Sequence, residues 1–528
     1  MAPKIFSESA STLKVLTELD LDGHEEKQHH KPLVTPLKRS ELWAWYIQNG
    51  TYCGYGWVAS SLLAPLLIQD MASRAGVMAS DHTISCNVTI PGFKCVTLVL
   101  GRYLEPGTIS LYISSLSSIL SFFASLSISA VADHGSYRKS LLIAFSALGC
   151  INALAYFIIQ SPSLFWVGAI LSPLGGAFFN ITSVFSHSYL PLYGRAHPDV
   201  LAAESRGESV QVIRKIEEQK INDISAYSAA VGNIGAALIY VACIGISLSM
   251  NESPLSLEIA IAFTGVWWLM WTLIVSPYLD ARPNEPLPKG TNWVVHSWKK
   301  TYDTLCSARK LPEIFKFMVS WFILSDGVNT IPTILFIILY RELGFTHVQS
   351  LIISVLLTVM AFVGVYAFMF FRKLWSLSTR CMILLCLALY TLLIAYLTIV
   401  PFFTDKFGLK TVGEGWACTL YIGLIISTFY SSTRVLLSEM CPEGDENEWF
   451  SLYLLADKGS SWLGPLVTGA IFTATGDYRK AFWFPLGLIA LGVAILLTVD
   501  VDLGKDQAQQ FARDKREKLQ RSRQQPSF

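Results

Sequence analysis

The sequence predicts an all-α polytopic membrane protein with twelve transmembrane helices in two six-helix halves. Composition is the first observation: 52% of the 528 residues are hydrophobic and 15% are charged, whereas soluble globular chains have about 25% charged residues. The second is the recurrence of apolar stretches of about 20 residues, the length that crosses a hydrocarbon core. The expected surrounding is therefore a lipid bilayer, and a formal net charge of +1 gives no reason to expect nucleic acid as a partner.

The predicted spans form two groups of six on either side of a polar linker, as in a duplicated transporter core. A polar N-terminal tail, residues 1–42, lacks the apolar core of a signal peptide. The first half, residues 43–277, has spans at 43–69, 108–131, 140–160, 163–190, 223–249 and 256–277. After the linker, residues 278–312, the second half, residues 313–502, has spans at 313–340, 347–371, 379–401, 415–438, 449–474 and 481–502. A basic tail, residues 503–528, is typical of a solvated or headgroup-facing segment.

The distribution of Lys and Arg predicts that both tails lie in the cytosol. With that orientation, about 29 of the 40 Lys and Arg residues fall on the cytosolic side and about 8 on the opposite side. The largest non-cytosolic segment is then the loop 70–107, which contains "CNVTIPGFKC". Asn87 begins an Asn-x-Thr sequon and is a predicted glycan acceptor. Cys86 and Cys95 flank it, and in an oxidising compartment they either pair or remain free.

A short polar turn, "ADHGSYRKSLL", separates spans two and three. It favours a clasp at the cytosolic end, in which Asp133 accepts hydrogen bonds from helix N-termini or arginines of the other half. Arg138 and Lys139 would anchor to the cytosolic headgroups. The alternative is an ordinary positively charged cytosolic loop.

A second charged segment, "SSTRVLLSEMCPEGDENEWFSLYLLADKGSSWLGP", joins spans ten and eleven. Adjacent helical residues point about 100° apart, so Asp457 and Lys458 cannot both face one partner. Because buried charges need partners, we predict that Arg434 pairs with Asp457. Such a pair either gates the transport path or locks two helices together.

Five stretches of the chain together resemble the autophagy-related vacuole effluxer family of the major facilitator superfamily, which is found in fungi. They are "ADHGSYRK", "SYLPLYGRAHPD", "ISAYSAAVGNIGAAL", "SDGVNTI" and "SEMCPEG…FSLYLLADKGSSWLGP", and the resemblance extends from about Trp43 to Leu503. It implies the major facilitator fold and a vacuolar-membrane transporter that exports amino acids released by autophagic degradation. The turn reads Asp-His-Gly-Ser-Tyr-Arg-Lys, where the superfamily favours Asp-Arg-x-Gly-Arg, so its contacts do not follow from the superfamily pattern.

Asp326 lies in the middle of the seventh span, where an uncompensated carboxylate costs a few kcal/mol. We expect it to face a hydrated central cavity, where it binds a substrate ammonium, exchanges a proton, or does both. Facilitator cavities take residues from spans one, four, seven and ten. Polar residues at helical spacing on those spans complete the candidate site, with helix packing as the alternative role: Asn49, Tyr52, Asn180, Asn329 and Thr330.

The sequence contains no HExxH, GxSxG or Walker motif, so we expect no enzyme activity, no cofactor and no metal site. The expected partners are an amino-acid substrate, the bilayer and, if Asp326 titrates, protons. Two alternatives stay open. A facilitator of the same fold could carry a sugar, a peptide or a drug. A membrane sensor could keep the fold and move nothing.

Overall fold

Long apolar runs form helices here because a bilayer offers no water to the backbone, and a helix satisfies its own N–H and C=O groups. The computed structural model describes residues 35–86, 94–133, 136–282, 292–308, 311–404, 407–442 and 446–524. Within these residues, eleven helices are long and apolar enough to cross a membrane. The predicted all-α membrane fold is confirmed for these segments.

Among its described residues the first half contains nine α-helices, and seven of them carry the six predicted spans, because the first two together form span one. The opening helix runs without interruption from Arg39 to Ala75 and is π-helical between Tyr55 and Leu63. The helices are α1 Arg39–Gly54, α2 Ala64–Ala75, α3 Pro106–Asp133, α4 Arg138–Leu154, α5 Phe165–His187, α6 Leu190–Arg195, α7 Pro198–Ser205, α8 Val210–Ser249 and α9 Pro254–Val275. The short helices α6 and α7 lie between predicted spans four and five.

The linker and the second half contain the remaining helices. They are α10 Trp293–Ala308, α11 Pro312–Arg341, α12 His347–Trp375, α13 Thr379–Phe403, α14 Val412–Met440, α15 Glu446–Ser460, α16 Leu463–Thr475, α17 Trp483–Leu497 and α18 Val501–Gln524. Three of them start at residues whose hydroxyl groups accept a first-turn N–H, namely Thr346, Ser378 and Thr411. Such N-caps satisfy donors that the helix itself leaves free.

The predicted span 449–474 is not one continuous helix. It consists of α15 and α16, which are separated at Ser461 and Trp462. Pro465 explains the break, because proline has no N–H and its ring clashes with the carbonyl group four residues earlier, that of Ser461. This interruption within the span matters for the site described below.

The predicted non-cytosolic loop folds into a small antiparallel sheet, which the sequence did not indicate. Its strands are β1 Val77–Met78, β2 Cys95–Val99 and β3 Arg102–Leu104, in the order β1-β2-β3. Cys86 and Cys95 are joined as a disulfide, with their Cα atoms 5.6 Å apart. Asn87 lies outside the described residues. We call the end of the bundle that carries this sheet the loop end, and the end that carries α10 and α18 the linker end.

The two halves meet through two sets of helices. α3 packs against α15 and α16, and α8 packs against α12. Each half also contributes a residue to the other's core: Leu111 of α3 lies in the second-half core, and Leu351 of α12 lies in the first-half core. Both of these residues are on the loop-end side of their helices. The packing between the halves is therefore continuous at the loop end.

Gly364 allows α12 and α14 to approach closely, and its replacement should destabilise the second half. A Cβ atom at this position would lie 1.9 Å from the Leu424 carbonyl oxygen, which belongs to the backbone and cannot rotate away. We expect Gly364→Ala to lower the free energy of unfolding by about 1–3 kcal/mol. Thermal unfolding of the purified protein in detergent measures the change.

Gly487 provides the matched control, because a Cβ atom there meets nothing within 4 Å. Gly487→Ala should leave the melting temperature unchanged or raise it, since alanine is the better helix former. Equal melting temperatures for the two variants would contradict the close approach at Gly364.

Candidate transport site and loop-end gate

Asp326 is buried in the second half, with 2% of its surface exposed. Its Oδ1 atom accepts a hydrogen bond from the Gly464 N–H at 3.1 Å, whereas Oδ2 has no partner among the described residues. The site is closely packed, because a Cβ atom at Gly464 would lie 1.9 Å from the Thr330 hydroxyl oxygen. The expectation of a hydrated cavity around Asp326 is therefore wrong for this conformation.

The position of Asp326 explains why an acid lies in a membrane helix. Gly464 is the second residue of α16, and the first N–H groups of a helix have no partner within the helix. They also carry the positive end of the helix dipole, so a carboxylate there is stabilised. Within the break, the Ser115 hydroxyl of α3 donates to the Trp462 carbonyl oxygen at 2.8 Å. Residues from both halves thus bind backbone groups at the break.

The other predicted residues of α11 point to different neighbours. The Thr330 hydroxyl donates to the Asp326 carbonyl oxygen at 2.7 Å, so Thr330 lies on the same face as the acid. Asn329 is half-buried and lies next to the Tyr430 hydroxyl of α14. The structure therefore brings Asp326 and Thr330 together at α16 and directs Asn329 towards α14.

In the first half, two of the three predicted residues form one buried polar cluster. Tyr52 donates to the Asn49 Oδ1 atom at 2.6 Å, and the Ser186 hydroxyl donates to the same oxygen at 3.1 Å. The neighbouring Gln48 is also buried, and neither atom of its amide has a partner among the described residues. Asn180 is separate from this cluster, because its amide donates to the Gly176 carbonyl oxygen at 2.8 Å within α5.

The predicted pair of Arg434 and Asp457 is wrong. Among the described residues, Arg434 makes no ion pair with Asp457, whose Oδ2 atom lies instead 3.6 Å from Lys458 Nζ. Arg434 is exposed and lies near Tyr453. It also lies close enough to His187, the last residue of α5, for their charges to interact. Arg434 therefore has His187 as a neighbour from the other half of the molecule.

The predicted role of Arg138 as a headgroup anchor is also wrong. Arg138 is 2% exposed, its guanidinium lies over the Tyr189 ring at 5.2 Å, and it donates to the Arg282 carbonyl oxygen at 3.1 Å. Arg282 in turn pairs with Glu41 at 2.6 Å. Through Arg282 and Glu41, Arg138 connects the start of α4 to residues near the end and near the beginning of the first half's sequence. Lys139 is half-exposed, and the side chain of Asp133 lies outside the described residues.

A charged network joins the two halves at the loop end, and sequence analysis did not identify it. Glu105 precedes α3 and pairs with Arg341, the last residue of α11, at 2.6 Å. Arg341 also donates to the Ser73 hydroxyl oxygen of α2 at 2.8 Å, and the Tyr478 hydroxyl donates to Glu105. Glu105 and Ser73 belong to the first half, whereas Arg341 and Tyr478 belong to the second. We call these four residues the loop-end gate.

A second ion pair lies beside the loop-end gate but stays within one half. Arg479 is 2.5 Å from Glu342, and both residues belong to the second half. Burial raises the pKa of the Glu342 carboxyl, and the nearby Arg479 opposes that shift. In the sequence, the members of both pairs appear as charged residues near the ends of predicted spans. This pattern is common and does not indicate which residues pair with each other.

The fold agrees with those of solved transporters at low sequence identity. A D-xylose–proton symporter gives a TM-score of 0.57 at 12% identity, covering 87% of this chain and 97% of that chain. A bacterial homologue of the iron transporter ferroportin, in an inward-facing state, gives 0.56 at 12% identity, covering 87% and 99%. The protein has the major facilitator fold of these multi-pass membrane transporters.

The particular family follows from the sequence. The family described as "Vacuole effluxer Atg22 like" matches residues 37–509, and the chain belongs to it. Autophagy-related protein 22 of Pyricularia oryzae is 28% identical, over 90% of this chain and 78% of that protein. Autophagy-related protein 22-1 of Aspergillus fumigatus is 26% identical, over 92% and 95%. The resemblance based on the five stretches is confirmed.

Proposed function

We propose that this protein exports amino acids released by autophagic degradation from the vacuole lumen to the cytosol, by alternating access. The conformation is the observation that carries the proposal. The loop-end gate and the core contacts around it join the halves at the loop end, whereas Arg434 and His187, near the linker-end termini of α14 and α5, are exposed. With both tails in the cytosol, as the Lys and Arg distribution predicts, the linker end faces the cytosol. A conformation that is closed at the loop end is then the one that releases substrate into the cytosol.

Family membership supports the direction and the compartment in this proposal. The name of the family refers to efflux from the vacuole, and its fungal relatives are named for autophagy. Breakdown of protein in that compartment yields amino acids, which must cross the vacuolar membrane to be reused. The similar xylose and iron transporters share only the fold, so they do not favour a sugar or a metal ion as the substrate of this chain.

Asp326 remains the candidate for proton exchange or for binding the substrate ammonium. Its burial in this conformation favours the proton, because the space beside Gly464 does not admit even a methyl group without a shift of Thr330. The polar cluster of Asn49 and Tyr52, together with Asn180 in the first half and Asn329 in the second, supplies further candidate hydrogen-bonding groups for the substrate.

The proposed function is tested by transport into vesicles that contain the purified full-length protein. A panel of labelled neutral, acidic and basic amino acids is compared with a labelled sugar, a nucleoside and a dipeptide. We expect saturable transport of neutral amino acids and no transport of the sugar, the nucleoside or the dipeptide. Transport of a sugar, nucleoside or dipeptide in place of amino acids would contradict the proposed substrate.

A further inference from the structure

We propose that a pocket between α12, α13 and α14 binds an anionic phospholipid, whose phosphate group contacts Arg372. The pocket lies in the second half at the linker end, where α12 ends and α13 begins and where α14 packs against α18. All three helices contribute to its wall, for example through Arg372, Met382 and Thr428. We call it the linker-end pocket. The inference concerns the lipid around the protein and does not depend on which solute the protein transports.

Arg372 supplies the positive charge of the linker-end pocket. It is exposed and lies three residues before the end of α12. Among the described residues it donates one hydrogen bond, to Thr379 Oγ1 at 3.3 Å, and no carboxylate lies within ion-pair distance of it. Glu439 accepts a hydrogen bond from Thr379 at 2.5 Å and pairs with Lys505 at 3.3 Å. Because a guanidinium has five N–H donors, Arg372 keeps donors available for an anion.

The Thr428 hydroxyl is a second group in the linker-end pocket that is available to a ligand. Thr428 is 5% exposed, and its hydroxyl has no hydrogen-bond partner among the described residues. It lies two helical turns, about 10 Å, further from the linker end than Val435, which also lines the pocket. Buried hydroxyl groups normally have a partner. An ester oxygen of a phospholipid could accept this hydrogen bond at a depth that the headgroup itself does not reach.

The remaining wall of the linker-end pocket is largely apolar and continues into the lipid-facing surface. Val365 and Phe368 of α12 line the pocket, and so does Met369, which is 52% exposed. Met369 belongs to a stripe of exposed apolar residues at helical spacing on this membrane-spanning helix. The other members of the stripe are Phe362, Tyr366 and Phe370. The pocket therefore opens onto a surface that suits acyl chains.

A phospholipid fits this arrangement better than a free phosphate ion does. A guanidinium binds a phosphate through parallel N–H donors, so either source could satisfy Arg372. Only a lipid would also cover the apolar wall and reach Thr428. With both tails in the cytosol, as the Lys and Arg distribution predicts, the linker end contacts the cytosolic leaflet, which carries anionic lipids. Basic pockets between membrane helices on that side bind such headgroups.

Thermal unfolding of the purified full-length protein in detergent, titrated with lipid, tests the proposal. Phosphatidylinositol should raise the melting temperature with saturation, and phosphatidylcholine, which has no net charge, should do so much more weakly. Glycerophosphoinositol carries the same headgroup without acyl chains and should have no effect at the same concentrations. In Arg372→Gln, the half-saturating concentration of phosphatidylinositol should rise about 10- to 100-fold, as expected for the loss of charge-assisted hydrogen bonds.

Lys373 provides the matched control for a general effect of surface charge. It is the neighbouring exposed cation on α12 but does not line the linker-end pocket. Lys373→Gln removes the same charge and should leave the half-saturating concentration unchanged. Ser432→Phe places an aromatic ring in the pocket while Arg372 stays, so it should weaken the effect of the lipid as well. This variant tests the pocket even if Arg372→Gln does not fold.

Three results would overturn the lipid site. An equal effect of glycerophosphoinositol and phosphatidylinositol would show that the pocket takes a soluble phosphate group. An equal loss in Arg372→Gln and Lys373→Gln would show that the lipid responds only to surface charge. Half-saturation at the wild-type concentration in both Arg372→Gln and Ser432→Phe would place the lipid outside the linker-end pocket.

Discussion

Asp326→Asn should abolish proton-driven transport while leaving substrate exchange intact. The asparagine side chain has nearly the same size and keeps an oxygen that can accept the Gly464 N–H, so the break between α15 and α16 should persist. It cannot bind and release a proton. In vesicles with an acidic interior, the wild-type protein should drive amino acid out with the protons, and the variant should only equilibrate it. Efflux with and without the proton gradient, beside exchange at equal pH, measures the difference.

A second buried acid gives the matched control for this experiment. Glu258 lies in α9 of the first half and is 3% exposed against 2% for Asp326, whereas the break belongs to the second half. Glu258→Gln should retain gradient-driven efflux. If Asp326→Asn loses exchange together with coupling, Asp326 binds the substrate instead. If the variant keeps both at wild-type levels, the acid is a packing residue and takes no part in transport.

Reversing one charge of the loop-end gate should open the loop end. Glu105 and Arg341 are mostly buried, with 17% and 16% of their side chains exposed. Removing one partner leaves the other uncompensated, which costs about 3–5 kcal/mol for a fully buried pair and less here. Because about 1.4 kcal/mol changes an equilibrium tenfold, Glu105→Arg or Arg341→Glu should raise the population of the loop-end-open state at least tenfold. The double exchange should restore the wild-type equilibrium.

A cysteine at position 351 can report this opening. Leu351 belongs to α12, lies in the core of the first half and has no exposed surface. The measurement uses a protein from which the other unpaired cysteines have been removed. When the loop-end gate is unaltered, the cysteine of Leu351→Cys should react slowly with a thiol reagent. It should react at least about tenfold faster in either single gate variant.

The ion pair of Glu342 and Arg479 is the control, since both residues belong to one half. Glu342→Arg should lower stability without exposing position 351. Equal labelling of position 351 in the wild-type and gate variants would show that the network does not hold the halves together.

Hydropathy predicted the spans because it depends only on local composition. The break at Ser461 and Trp462 also had a local signal in Pro465, with glycine at positions 459 and 464. Apolar residues on both sides of that signal favoured one continuous helix. The acid at position 326 was identified for the correct reason, its cost in a bilayer, but its partner is a backbone N–H group, which no side-chain pattern reveals.

The partners of charged residues could not be predicted in the same way. Arg138 fits the positively charged pattern of a cytosolic loop, yet the fold covers it with Tyr189. The pairing of Glu105 with Arg341 depends on how two helices, 236 residues apart in sequence, end beside each other. Arg434 was expected to find an acid on the neighbouring helix, but the acid there, Asp457, lies beside Lys458 instead.

Counterflow of a labelled amino acid tests the central claim, that this chain moves amino acids by alternating access. Vesicles that contain the purified protein are loaded with an unlabelled neutral amino acid and diluted into a trace of the same amino acid in labelled form. We expect the label to accumulate transiently inside, above its external concentration. The binding site leaves the interior loaded with unlabelled substrate and returns loaded with label. Label that never exceeds the level in protein-free vesicles, across all neutral amino acids and with the protein folded, would contradict the account.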